Sequence, residues 1–80
     1  MAAAQLQEIL DFIENGLGMS GVTADTDLFA LRDFDSLKMV EVLTFLEQRF
    51  QVTIGTDDMT PERIGKPSLI ASLVEARGGR

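Results

Sequence analysis

Asp33-Phe34-Asp35-Ser36-Leu37 is the segment whose residue types carry chemistry. A serine at a helix N-terminus is displayed to solvent and faces backbone N–H groups that no preceding turn can accept from. Those groups and the helix dipole favour a phosphate ester on the hydroxyl. Asp35 would repel such a phosphate. Its charge is useful if an enzyme engages the carboxylate while installing the group, through a metal or a basic patch. The plain alternative is that Asp35 and Ser36 only cap a helix, as both residue types commonly do. Nothing else in the chain supplies covalent chemistry. With no Cys and no His among 80 residues, disulfides, thiolate or imidazole zinc ligands, Ser–His–Asp triads and Cys–His dyads are excluded. Without a His, no local base activates Ser36, so self-modification is not expected.

The elements that must position Ser36 read clearly. Leu6, Ile9, Leu10, Ile13 and Leu17 fall on one arc of a helical wheel, with Glu8, Asp11 and Glu14 opposite. Residues 3–16 are therefore an amphipathic helix, ended by Gly16 and Gly18. Residues 18–35 form a long ordered loop with turn chemistry at Gly18, Gly21, Thr23, Asp25, Thr26 and Asp27. Val22, Leu28, Phe29 and Leu31 should pin that loop to the core, and a loop this long in a small domain is more often functional than incidental. The strongest helix runs Ser36–Phe50, with Asp35 or Ser36 as N-cap. Its wheel turns Met39, Val40, Val42, Leu43, Leu46 and Phe50 inward. Leu37, Glu41, Thr44, Phe45 and Gln48 lie opposite, a candidate docking face in which Leu37 and Phe45 are exposed apolar residues. Alternatively, one of those two packs under the preceding loop.

Gln51-Val52-Thr53-Ile54 has strand propensity but no partner strand, and reads as an extended connector. Thr60 caps a short helix with Pro61 at its first position, and Gly65-Lys66 stops it. Pro67 opens a last helix to residue 77, its apolar face being Leu69, Ile70, Leu73, Val74 and Ala76. Residues 77–80 should fray. The expected fold is an all-α bundle of three longer helices and one short one. A chain of this size buries only about 60% of its unfolded surface, yet an apolar fraction of 45% argues for a folded core.

In this arrangement the chain resembles the acyl and peptidyl carrier protein family, whose phosphopantetheine-bearing serine sits in an Asp-Ser-Leu motif. The resemblance runs through helix one, Asp25-Thr26-Asp27-Leu28-Phe29, Asp35-Ser36-Leu37, Val40-Glu41-Val42-Leu43, Leu46-Glu47 and Phe50. It continues through Val52-Thr53-Ile54, Thr60-Pro61-Glu62 and Leu69 to Val74. It implies a small four-helix carrier bundle, one domain over residues 1–80, that is not an enzyme. A phosphopantetheinyl transferase would move 4′-phosphopantetheine from coenzyme A onto Ser36, with Asp35 recognised by the transferase. The arm would then hold acyl or aminoacyl groups as thioesters, charged by a loading ligase or acyltransferase and passed to a downstream synthase or transferase. A thiol supplied by a prosthetic group suits a chain that has no cysteine. Asp33 stands where the family often has Gly, and bulky Phe34 follows it. Thr44 replaces a larger apolar residue, and Lys38 and Arg49 offset Glu41 and Glu47 on a helix that is strongly acidic in fatty-acid-synthesis carriers. These departures favour a polyketide, nonribosomal peptide or aminoacyl-transfer carrier over a fatty acid synthesis one.

Other readings fit less well. Asp25-x-Asp27 lacks the further ligands of a calcium loop, and Gly65-Lys66 lacks the rest of a P-loop. Arg77-Gly78-Gly79 resembles the diglycine tail of ubiquitin-like modifiers, but those begin with a β-hairpin where this chain has helical periodicity. A helical interaction module, with Ser36 an ordinary cap, is the remaining alternative.

The formal charge of −6 disfavours nucleic acid as a partner. The charge is unevenly spread: acids crowd the region before Ser36 and the short helix, whereas residues 36–50 are neutral. Partners are thus expected to read helix two by apolar fit more than by charge, with mild salt dependence. No signal-like or bilayer-spanning run is present. A monomeric, free-standing cytoplasmic protein with no membrane partner is the expectation.

Overall fold

The computed structural model describes residues 3–79. Helix α1 spans Ala3–Asp11 and widens into a π-helical turn over Phe12–Gly16. A loop follows, interrupted by a 3-10 turn at Leu28–Ala30. Helix α2 spans Ser36–Phe50, α3 Pro61–Ile64 and α4 Pro67–Ala76, with a second 3-10 turn at Thr56–Asp58 before α3. No strand occurs among the described residues; residues 51–54 have no regular secondary structure, and Gln51, expected to be extended, is left-handed where it ends α2. The architecture is the small all-α bundle of three longer helices and one short one.

Ile9 of α1 and Ile13 of the π turn meet Met39, Val42, Leu46 and Phe50 of α2 and Ile70, Ala71, Leu73 and Val74 of α4 in one core. Leu28 and Phe34 from the loop and Ile64 from α3 complete it. The long loop is held by the backbone as well as by apolar contacts. The Leu28 N–H donates to the Gly65 carbonyl at 2.8 Å and the Ser68 N–H to the Ala24 carbonyl at 3.0 Å. Asp27 caps the 3-10 turn by accepting from the Phe29 N–H.

Four expectations are corrected by the packing. Val40, placed inward by its wheel position, is half exposed, because α3 and the loop leave a cleft beside it. Phe29 is likewise exposed, since only Leu28 of that pair turns to the core. Ala71 occupies the core position assigned to Ala76. Residues 77–79 are tied down. Arg77 binds the Asp58 carboxylate at 2.6 Å and the Thr53 carbonyl at 2.7 Å, and the Gln5 side chain donates to the Gly79 carbonyl at 3.0 Å. Arg80, the rest of the expected frayed tail, lies outside the described residues.

Candidate functional site

The start of α2 is built by Asp35. Its backbone is extended, and its side chain accepts from the Lys38 N–H at 3.1 Å, while its carbonyl takes the first intrahelical bond from Met39. This is N-cap geometry, so the helix draws its cap from Asp35 and places no demand on the Ser36 hydroxyl. Ser36 is the first helical residue, exposed, at the positive end of a 15-residue helix.

Beside Ser36 lies a cleft of about 340 Å³. Phe34, Met39 and Ile64 form its deep side; Phe29, Val40 and Met59 form its mouth. The exposed large apolar residues of the described chain gather here: Phe29 at 48%, Val40 at 51% and Met59 at 41% line the cleft. Leu37, at 69%, is next to Ser36 in sequence. Only Leu37 of these four was marked by helical periodicity as an exposed apolar residue. Phe29 and Met59 sit in turns, where no period marks a face, and Val40 depends on what α3 leaves uncovered.

The remaining members of the expected docking face separate from this cleft. Glu41, Thr44 and Gln48 are exposed along α2. Phe45 is half-buried rather than fully exposed. Its ring stacks on Phe12 with centroids 4.3 Å apart and planes within 9°, and meets the edge of Phe50 at 6.1 Å. The π turn of the first helix brings Phe12 there, an irregularity that periodicity cannot foresee.

Asp58 is the buried carboxylate missed by the sequence reading. Arg77, the Gly55 N–H at 3.1 Å and Arg63 at 3.4 Å surround it. The Arg77 hydrogen bond above all, then the Gly55 amide, holds its pKa below the usual 3.8 against the opposing effect of burial. The site is structural: it ties the connector to the end of α4. Its one sequence trace was the acidic-then-basic order of Asp58, Arg63 and Arg77.

The bundle thus displays one serine hydroxyl beside an apolar cleft with an exposed apolar rim. The family model described as "Phosphopantetheine attachment site" matches residues 5–66, more than half of the chain, and the chain belongs to that family. No match was found among curated proteins or among solved structures. The family is the site of covalent 4′-phosphopantetheine attachment, so the protein is a carrier with such an arm. Carrier domains are generally not catalytic, and they work with phosphopantetheinyl transferases and with synthase or ligase partners. Among the described residues, no helix is long and apolar enough to cross a membrane.

The start of α2 fits the group. An exposed hydroxyl stands at a helix N-terminus, where first-turn amides favour an anion, and the apolar cleft opens directly alongside. No other described side chain hydrogen-bonds that hydroxyl, and Asp35 leaves it unoccupied by capping.

Proposed function

We propose that Ser36 is the attachment residue and that the protein carries acyl or aminoacyl intermediates as a single domain of residues 1–80. The observation that carries this reading is the division of labour at the start of α2, where Asp35 caps the helix and Ser36 is left exposed at the rim of the cleft. In the loading step the Ser36 Oγ forms a bond to phosphorus, and the pyrophosphate bond of coenzyme A breaks. Adenosine bisphosphate leaves, and the hydroxyl proton passes to the transferase, because this chain offers no His to take it. Asp35, one residue away and exposed, is the carboxylate that the transferase engages. When bound, the arm supplies the thiol on which cargo is held as a thioester. Leu37 and the exposed apolar residues around Ser36 present a surface for the partner, and Glu41, Thr44 and Gln48 extend it along α2.

The pathway served is a polyketide, nonribosomal peptide or aminoacyl-transfer one, in the cytoplasm, with a monomeric carrier charged by an acyl- or aminoacyl-loading ligase or acyltransferase. The balanced charge of α2 supports this over fatty acid synthesis.

The test is intact mass after incubation with coenzyme A and a promiscuous phosphopantetheinyl transferase. The wild type should gain one phosphopantetheine and Ser36→Ala none. A wild type that gains nothing, or a gain that persists in the variant, overturns the assignment.

A further inference from the structure

The buried carboxylate of Asp58 and the cleft beside Ser36 share one stretch of chain. Residues 55–64 run from Gly55 through the second 3-10 turn into α3, and they carry two of the cleft's lining residues, Met59 and Ile64. Among the described residues, the backbone hydrogen bonds of this stretch close within residues 55–65. The Asp58 N–H donates to the Gly55 carbonyl, the Met59 N–H to Thr56, the Thr60 N–H to Asp58 and the Ile64 N–H to Thr60. A helix of four residues has no stability of its own, so α3 keeps its place through what holds it from outside.

The two ends of the stretch are held differently. At one end Ile64 is fully buried, and the next residue, Gly65, accepts from the Leu28 N–H. At the other end the tie is Asp58. Arg77, which follows α4, meets its carboxylate and is itself oriented by the Thr53 carbonyl. Arg63 approaches the same oxygen from within the stretch and moves with it, so Arg77 is what fastens this end to the rest of the bundle. Asp58 is 4% exposed, whereas the Arg77 side chain is 36% exposed and open to competition from water. A carboxylate left in that position without Arg77 is poorly compensated, and its way to solvent carries the adjacent Met59 outward.

We infer that the Arg77–Asp58 pair is a latch on the wall of the cleft. Closed, it keeps Met59 at the mouth; open, residues 55–63 swing about the anchor at Ile64 and Gly65, and the cleft beside Ser36 widens. Arg77 is a positioning residue, since it lines no part of the cleft and acts through Asp58. The driving element is the buried charge, so removing Arg77 opens the wall more than removing the charge of Asp58 does. The inference does not rest on Ser36 as the attachment residue.

The test is native-state hydrogen exchange of the full chain, followed by nitrogen-15 NMR at low denaturant, with Nile red as a neutral dye for exposed apolar surface. In the wild type the Ile64 amide should exchange through an opening that denaturant barely speeds, while Val42 in the middle of α2 exchanges only on global unfolding. Arg77→Gln should speed Ile64 exchange about tenfold. It should also raise Nile red fluorescence at sub-saturating dye roughly fivefold, as the open form gains population. Adding Asp58→Asn to Arg77→Gln removes the stranded charge and should return both readouts most of the way to wild type. Arg63→Gln, which removes the longer and more exposed contact, should give the same changes at smaller size, so the test holds even if Arg77→Gln does not fold. Ile64 exchanging only together with Val42, single variants that leave the dye signal unchanged, or a double variant as open as Arg77→Gln overturns the inference.

Discussion

Replacing Gly65 with alanine tests how the wall opposite Ser36 is held. Gly65 ends α3 with φ −73° and ψ −15°, a conformation alanine adopts freely, so any penalty comes from contact alone. A Cβ at this position would fall against the Pro61 carbonyl oxygen, well inside van der Waals contact, and 3.1 Å from its carbon. The obstacle is backbone, which cannot rotate aside as a side chain can. Relieving it requires a displacement on the order of 1 Å in α3 or in the start of α4, within an interior that is closely packed. Overpacking of this kind costs about 1–3 kcal/mol. The lower entropy of the unfolded chain returns about 0.4–1 kcal/mol. A net loss of about 1–2 kcal/mol lowers the melting temperature of a domain this size by roughly 5–15 °C. Circular dichroism melts measure it directly. Hydrogen exchange gives a local readout, because the Leu28 amide donates to the Gly65 carbonyl and should lose protection. Gly55→Ala is the control: its backbone is extended and a Cβ there meets open space, so it should melt at or slightly above the wild type. If Gly65→Ala melts with the wild type and Leu28 keeps its protection, the tight seating of α3 is wrong, and with it the account of the cleft wall formed by Ile64.

Two further outcomes are expected. Asp58 has a lowered pKa, so its stabilising contribution is complete above the usual carboxylate value of 3.8 and fades as pH falls through the lower folded value. Thermal melts between roughly pH 7 and pH 3 should show the wild type weakening at the acid end and Asp58→Asn less stable at neutral pH with a flatter profile; parallel profiles would refute this. Leu37→Ser and Val40→Ser alter exposed side chains, so stability should stay within about 0.5 kcal/mol while kcat/KM of the phosphopantetheinyl transferase falls. An unchanged kcat/KM would remove these two residues from the partner surface.

Much of the fold is legible where information is local. The period of 3.6 and the Asp35 cap define α2 to its ends, and Thr60-Pro61 and Pro67 mark the starts of α3 and α4. What escapes periodicity depends on neighbours distant in sequence. Phe45 sits on the outward arc of its own wheel, yet Phe12 reaches it through a π turn with no sequence signal beyond the small Gly16. Val40 sits on the inward arc, yet α3 leaves it open. The tail looked free because Gly78 and Gly79 are flexible residue types, but Arg77 finds a buried carboxylate and Gly79 finds the Gln5 side chain. The same limit applies to charge. Helix α2 taken alone is neutral, and only folding sets the acids of α1 beside its face. Ser36 itself could be read from its motif, whereas the cleft at its side could not, since it is assembled from a loop, two helices and a turn.

The hydrogen bond between Gln5 and the Gly79 carbonyl brings the two ends of the described chain together. Gly79 also lies against Phe50 and Val52, at the far end of α2 from Ser36. A 15-residue helix rises about 22 Å, so the joined ends form one pole of the molecule and the serine the other. Whatever is fused, immobilised or spliced through the ends attaches at a handle remote from the working pole. A short bridge between them could close the chain into a ring while the serine stays open to approaching enzymes.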